Sequence, residues 1–265
     1  MYRIREFSAM TGLSQSKIRF YEKRGLLLSH REENGYRVFT PEDAFRSNAF
    51  RMLLQYGFSI EEAIELVDAD QETHSFIHTL QTQHKKLLHE ADVISCRLAR
   101  IQKALTSANS DISADFEVVT MPDYFFVRAS LGSDFSISLE NASARAELYD
   151  LLYVSHCVRI IRYENLIDDS PEVDIDYANA ISEEDVYRVS ESSRASLSKF
   201  RLGTCVRFRR RLNRTESVRR SSFSELYDYL DTHGYKAKSD AIIFPSFLNL
   251  DSRNSDIEVI YVPIV

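Results

Sequence analysis

The sequence predicts an α+β chain: a group of short helices, then one long helix, then a strand–helix–strand–strand pattern that occurs twice. Three observations predict it. Gly and Ser/Thr punctuation cuts residues 1–71 into short helical pieces, an unbroken heptad run fills Thr73–Leu105, and strand-like alternation starts near Phe116 and recurs after Lys199. With 265 residues the chain is long enough for more than one core. The expected organisation is a unit over 1–71, a helix over 72–108, a small polar linker over 109–115 and a second unit over 116–265.

In "IREFSAMTGLS" a short helix should stop at Gly12, with Ser14 capping a second helix that runs to Arg24 and ends at Gly25. "ENGYRVF" carries an Asn-Gly turn followed by alternation, the mark of a small hairpin. "TPED" starts the next helix, with Thr40 as cap and Pro41 at its first position; Ser59 caps another through about Val67. Ile77, Leu80, His84, Leu87, Ala91, Ile94, Leu98, Ile101 and Leu105 then follow the 3-4 spacing of a coiled-coil seam, with His84 its one polar position. One narrow stripe on a long helix points to pairing with a second copy, a homodimer. Beyond "TSANSDISAD", the first repeat is expected as strand Phe116–Ala129, helix Asn141–Val154 and strands Val158–Tyr163 and Val173–Ala180. The second is expected as strand Lys199–Leu212, helix Thr215–Thr232 and strands Ala241–Leu248 and Ile257–Ile264. Two such repeats predict a groove between pseudo-equivalent halves.

Charge is segregated. The chain carries a formal −7, yet residues 1–51 hold ten Arg/Lys against six Asp/Glu. The balance excludes a generally basic nucleic-acid coat and favours a local basic face. No apolar run is long enough for a membrane span, the start lacks a signal-peptide core, and Cys96, Cys157 and Cys205 are too scattered for a disulfide framework or a metal knuckle. The expectation is a cytoplasmic, nucleoid-associated protein with reduced thiols, no metal and no cofactor. Ser14, Gln15 and Ser16 at the start of the second helix suit base edges or phosphates. Lys17 and Arg19 add charge and reach, and Tyr36 and Arg37 past the Asn-Gly turn could meet the flanking backbone.

"IRFYEKRGLL", "GYRVFTPED" and "LLQYGFSIEEAIELV", in this order and at close spacing, resemble the block pattern of the MerR family of transcription regulators. The resemblance covers about residues 1–70, and the long helix resembles that family's dimerisation helix. It implies an N-terminal all-α winged helix-turn-helix, with a recognition helix over Ser14–Arg24, one wing around Asn34–Arg37 and a second around Gly57–Ser59. The residues it places at double-stranded promoter DNA are Tyr2, Arg5, Ser14, Gln15, Ser16, Lys17, Arg19, Phe20, Asn34, Tyr36, Arg37, Phe58 and Ser59. Two departures stand out: Phe20 where the family has tyrosine, and Arg5 where many relatives have glycine. Tyr21 is expected beneath the helix. A homodimer would set two recognition helices about one DNA turn apart on an inverted repeat. Family members distort an overlong spacer so that RNA polymerase can use the promoter, a deformation-energy mechanism.

Lone Cys96, expected to face outward, and a linker without Cys or His argue against a thiolate metal or redox sensor. "FEVVTMPDYFFVRAS", "ELYDYLDTHG" and "AIIFPSF" are similar to the GyrI-like effector-binding domain of multidrug-sensing relatives, which implies a small aromatic or lipophilic effector. Ala241 stands where cation-sensing members have an acid, with Asp240 beside it. Candidate ligand residues are Tyr149, Tyr153, Tyr163, Arg207, Tyr229, Asp240 and Phe247. Alternation in "KFRLGTCVRFRRRL" puts Phe200, Leu202, Val206 and Phe208 on one face and Arg201, Cys205, Arg207 and Arg209 on a polar one. Ten acids lie in 164–191 and eight arginines in 201–220, charges expected to offset one another as surface pairs. Two other functions compete with a ligand-responsive regulator: a GyrI-like small-molecule hydrolase and a ligand-independent DNA-bending protein. With no Ser-His-Asp, Cys-His or paired-carboxylate arrangement, a catalytic site is not expected.

Overall fold

Local caps set the first helices, and the computed structural model shows them closing. It describes residues 1–31, 35–69, 72–109, 115–132, 136–139, 141–213, 218–248 and 255–265. The chain forms two compact units, Met1–Val93 and Ile94–Val265. In the first, helix α1 (Ile4–Thr11) ends at Gly12, whose φ of 70° is the left-handed cap that glycine adopts without strain. Helix α2 (Gln15–Lys23) starts on the Ser14 hydroxyl, which accepts from Lys17 N–H at 3.3 Å. Thr40 and Asp43 form a reciprocal capping box for α3 (Pro41–Gln55), and Ser59 and Glu62 do the same for α4 (Ile60–Asp68). Three short strands, β1 (Tyr2–Arg3), β2 (His30–Arg31) and β3 (Arg37–Phe39), form a small sheet in the order β1-β3-β2. Phe7, Ile18, Leu26, Leu27, Phe39 and Phe50 fill the core beneath it.

Helix α5 runs unbroken from Thr73 to Asn109. Its heptad stripe does not behave as one surface. Leu80 packs against the core of the first unit, and the two Leu87 methyls lie 3.3 and 3.5 Å from where a Cβ on Gly57 would stand. This packing buries Gln83, whose Nε2 donates to Tyr56 O at 3.2 Å; His84, the polar position of the expected seam, is exposed in the single chain, as Ile77 and Ile94 are. Further along, Ile94, Leu98, Ile101 and Leu105 are 51–62 % exposed. A different stripe, Cys96, Arg100, Ala104 and Ser107, turns to the second unit's sheet. Cys96 is therefore not outward-facing as expected: it packs against the cluster of Val127, Leu148 and Ile181. Arg100 donates to Ser155 O at 2.5 Å and the Ser107 hydroxyl meets that of Ser246 at 2.6 Å.

Among the described residues, the remainder of the second unit is a nine-stranded antiparallel sheet and its helices. Its strands are β4 (Asp115–Met121), β5 (Tyr124–Leu131), β6 (Ser136–Ile137), β7 (His156–Ile161), β8 (Ile175–Ser182), β9 (Ser198–Phe200), β10 (Gly203–Asn213), β11 (Ala241–Phe247) and β12 (Ser255–Pro263). The helices are α6 (Ala142–Asp150), α7 (Tyr163–Ile167), α8 (Glu191–Arg194) and α9 (Ser224–Thr232), with α6 and α9 on one face of the sheet. The repeat is visible in the topology: β5-α6-β7-β8 lies in the order β7-β8-β5, β10-α9-β11-β12 in the order β11-β12-β10, and the halves join through β7 and β11. Helix α9 buries Leu226 and Leu230 against Phe208, Ile243 and Ile260, each leucine contributing roughly 1.5–3 kcal/mol.

The long strands expected over 116–129 and 199–212 are each broken in two. Pro122 has no N–H for a ladder, and after it the chain leaves the β10 edge for a place between β8 and β9. Gly203, at φ 58°, opens β10 after the break that follows Phe200, and the side-chain phase inverts there. Phe200 and Leu202 consequently share a cluster with fully buried Cys205, whereas Val206 and Phe208 belong to the cluster under α9. The expected polar placement of Cys205 is thus corrected; burial pushes its thiol up to about 12. The helices after 141 and 215 are shorter than expected, ending at Asp150 and beginning at Ser224; residues 214–217 lie outside the described part.

One buried carboxylate ties the first half together. Asp176, 1 % exposed, accepts from Arg128 Nε at 2.9 Å, from Arg162 Nε at 3.0 Å and Nη2 at 2.7 Å, and from Gly132 N–H at 3.0 Å. Burial pushes its carboxyl up, but the bonds from Arg162, Gly132 and Arg128 outweigh it and the net shift is downward. Asp176→Asn should cost about 3 kcal/mol, since two arginines lose their nearest anion and keep only the longer contacts to Asp240 and Glu164. A depressed folded value means that this stability is present above the unfolded value of about 3.9 and is lost as pH falls through the folded one. The gap in melting temperature between wild type and variant should therefore be full at neutral pH and shrink below about pH 4.

Candidate nucleic-acid interface and C-terminal groove

Alternation around α2 decides what it can offer. Ile18 and Tyr21 are buried, Tyr21 edge-on to Phe50 at 4.9 Å, so the helix is anchored from below. Ser14, Ser16, Lys17, Arg19 and Phe20 lie on the exposed face, with Gln15 half-buried. Neither Lys17 nor Arg19 has an ion-pair partner among the described residues. Phe20 is flanked by the Arg24 guanidinium, 4.9 Å from its ring centre, and Arg24 is paired with Glu61. Arg5 is also exposed. A surface of free cations, hydroxyls and one aromatic ring beside a helix N-terminus is chemistry for phosphate and base edges.

Other expected members fall differently. Arg37 gives its Nε to Glu22 Oε1 at 2.9 Å, and the Arg3 guanidinium lies 5.6 Å from the ring of exposed Tyr36. Ser59 is exposed but used as a helix cap, and Tyr2 packs against the core from β1. Phe58, expected at the DNA, is instead buried in that core because the turn at Gly57 directs it inward. Asn34 lies outside the described residues.

A profile of MerR HTH family regulatory proteins matches residues 2–70. The HTH-type transcriptional regulator CueR of Escherichia coli O6:H1 is 34% identical over 122 residues, which is 44% of this chain and 90% of the relative. This chain is a member of the MerR HTH family. It is a DNA-binding transcription regulator of that family. ZntR of Escherichia coli K12 is 31% identical over 103 residues, 38% of this chain and 72% of the relative. Both matches leave most of the second unit uncovered. Among solved structures, the EcmrR–DNA complex in EcmrR-RPo aligns over 99% of both chains, but at 14% identity and a TM-score of 0.39, too loosely to add to the assignment.

In this MerR-family chain the second unit holds a cavity of about 320 Å³ on the helix-bearing face of the sheet, at the junction of the halves. Tyr149, Cys157, Arg159, Tyr177 and Asn179 line it from the first half, and Leu212, Pro245, Asp256 and Glu258 from the second. The floor is an ion cluster. Glu258, 4 % exposed, accepts from Arg210 Nε at 2.7 Å and pairs with Arg159 on its other oxygen. Arg210 also donates to Ser222 O at 2.5 Å and lies 4.0 Å from the Phe223 ring. Burial and the neighbouring Arg159 push its guanidinium down to about 9, so it is still cationic at neutral pH. Asn179, 1 % exposed, donates to Cys157 Sγ at 3.5 Å and leaves its Oδ1 without a partner, an acceptor waiting at the groove wall.

Of the expected ligand residues, the structure brings only Tyr149 to this groove. Tyr153 packs under α6 with its ring 5.7 Å from Arg188. Tyr163 heads α7 and gives its N–H to Asp240 at 2.8 Å, which makes Asp240 a local brace, and Ala241 is core. Arg207 is paired with Glu117 on the adjacent strand at 2.6 Å. Tyr229 is stacked between Phe116 and His233, and Phe247 ends β11 outside the cavity. Sequence reasoning missed Glu258, Arg159, Arg210 and Asn179. Their polar types in strands with an otherwise apolar face were the one available signal. Among the described residues no cluster of three or more His, Cys, Asp or Glu could hold a metal, and no helix is long and apolar enough to cross a membrane.

Proposed function

We propose that the protein binds an inverted-repeat promoter as a homodimer, bends and untwists the spacer for RNA polymerase, and responds to a small aromatic or lipophilic effector held in the C-terminal groove. The observation that carries this reading is the exposed Lys17–Arg19 face on a well-capped α2, in a chain that also leaves an apolar stripe open on α5. The residues placed at DNA are Arg5, Ser14, Gln15, Ser16, Lys17, Arg19 and Phe20, with Tyr36 and Arg37 at the flanks. Ile94, Leu98, Ile101 and Leu105 form the dimer seam, while Ile77, His84, Leu87 and Ala91 extend it. The second unit is read as a GyrI-like effector domain on its repeated strand–helix–strand–strand order and the groove at the joint. Its setting is the cytoplasm, at the nucleoid.

The groove's chemistry favours an effector without a fixed positive charge. Glu258 is already neutralised by two arginines, so a lipophilic cation would have to displace one of them. The same pairing makes Glu258 a poor general base and weighs against a hydrolase. The test is footprinting on the chain's own promoter, followed by transcription from it with purified polymerase. Protection of one inverted repeat and altered transcript yield are expected; protection without symmetry would refute the dimeric reading. Phe20→Tyr supplies a hydroxyl for phosphate and should tighten operator binding roughly 3–10-fold at fixed salt, read by fluorescence anisotropy.

A further inference from the structure

The opposite face of the C-terminal sheet carries a second cavity, smaller and chemically different from the groove. Side chains alternate across strands, so His156, Val259 and Tyr261 point away from the face that bears Cys157, Arg159 and Glu258. There they meet the second stripe of α5. The cavity, about 180 Å³, is walled by Met121, Tyr124, Phe244 and Tyr261, with Arg100 and Lys103 over it from the helix and His156 at its side.

Three features give this cavity a sign. No aspartate or glutamate lines it among the described residues, whereas two cations do. The half-buried Arg100 uses only Nη2, toward Ser155 O at 2.5 Å and His156 Nε2 at 3.5 Å; its Nε and Nη1 have no protein acceptor among the described residues, and no carboxylate pairs with it. Asp185, whose charge reaches both Arg100 and His156, is itself bonded by Arg188 Nε at 3.0 Å. A guanidinium held half out of water without an anion is a standing electrostatic debt that a bound anion would remove.

The remaining groups are neutral donors. Burial, with Arg100 and Lys103 adding to it, pushes His156 down to about 4, so the ring is uncharged at neutral pH. A guanidinium only donates, so Nε2 accepts and Nδ1 carries the hydrogen. Burial pushes the Tyr124 phenol up to about 12 and that of Tyr261 up as well, leaving two hydroxyls that stay protonated. Neither hydroxyl has a hydrogen-bond partner among the described residues. Aromatic walls, neutral donors and unpaired cations fit a molecule with an apolar ring at one end and a carboxylate at the other. Size limits it further, since a cavity of about 150 Å³ holds one benzene ring.

We propose that this cavity between α5 and the sheet binds a single-ring aromatic carboxylate, with Arg100 and Lys103 taking the carboxylate and Tyr124, Phe244 and Tyr261 enclosing the ring. The site is separate from the effector groove and goes beyond the function proposed above. A ligand there bridges α5 and the sheet, stiffening the seat of the helix that carries the open apolar stripe.

Isothermal titration of the full-length protein with sodium benzoate, benzyl alcohol and benzylamine tests it. Benzoate should bind once per chain with a Kd on the order of 0.1 mM, as befits a ligand this small. Benzyl alcohol and benzylamine should bind at least about tenfold more weakly, the loss expected for one charge-assisted contact. Arg100→Gln should weaken benzoate about tenfold or more, and Lys103→Gln, at the exposed mouth of the cavity, several-fold. Should Arg100→Gln fail to fold, Lys103→Gln carries the test. Tyr149→Ala, in the groove on the other face, should leave benzoate binding unchanged. The proposal is overturned by absence of saturable binding at millimolar benzoate, by equal binding of the amine, by indifference to both cation substitutions, or by loss in Tyr149→Ala, which would place benzoate in the groove.

Discussion

Leu98→Asp should convert the protein from dimer to monomer at micromolar concentration, read by sedimentation velocity. Leu98 lies at the centre of the stripe Ile94, Leu98, Ile101 and Leu105, which the chain's own sheet does not cover. Cys96, Arg100, Ala104 and Ser107, on another side of the same helix, already meet that sheet. Apolar side chains at heptad spacing left open on a helix this long are what a second copy would bury. A carboxylate in such a seam costs about 3 kcal/mol, and each dimer carries two, which together weaken association by roughly 10⁴. The monomer itself should keep its fold, because Leu98 is a surface residue in the isolated chain; an unchanged far-ultraviolet spectrum checks this. A dimer mass retained in Leu98→Asp and in Ile94→Asp alike would remove α5 as the pairing element. Leu87 is a poorer probe, since it also packs at Gly57 and its loss would mix folding with association.

Arg19→Ala should abolish specific operator binding while leaving the dimer intact. Arg19 is exposed on α2, and its removal leaves the Ile18–Tyr21 anchor untouched. An arginine at a base edge or phosphate contributes about 1–3 kcal/mol per half-site; two half-sites make the loss on the order of 10²–10⁴ in affinity. The salt dependence separates the two roles. An arginine that neutralises a phosphate releases a counterion, so its removal lowers the slope of log K against log salt by about one per half-site. An arginine that reads a base edge does not, so its removal relaxes sequence preference and leaves the slope nearly unchanged. Affinity within twofold of wild type would mean that the reading surface is not this face of α2.

The pattern of agreement follows the range of the interactions. Helix starts were legible because a cap joins residues three apart: Ser14 with Lys17, Thr40 with Asp43, Ser59 with Glu62. The long helix was legible because neither Gly nor Pro interrupts it. The repeat was legible as order, since a strand–helix–strand–strand pattern needs no knowledge of partners. The groove floor was not. Glu258 meets Arg210 across 48 residues of chain and Arg159 across 99, and nothing local in either strand announces its partner. Aromatic content was a misleading guide to the groove: Tyr153 and Tyr229 are taken up by packing, as most large aromatics are. The phase inversion at Gly203 shows the same limit, because alternation was carried straight through a residue at which the backbone turns over.

The joint between the repeats is narrow. Strands β7 and β11 share only the register Ala241–Ile161, Ile242–Ile160 and Ile243–Arg159, while β10 and β12 run together from Cys205–Pro263 to Asn213–Ser255. The lobes therefore meet along a ladder of three residue pairs, and the clasp of Arg159 on Glu258 spans it from one lobe to the other. Hinge-like spreading of the lobes would rupture few backbone bonds but must prise that clasp open. Resistance of the second unit to opening at this waist thus rests on a charge pair together with the apolar cluster that both halves share under α9, and a guest competing for the pair would remove one of those two restraints.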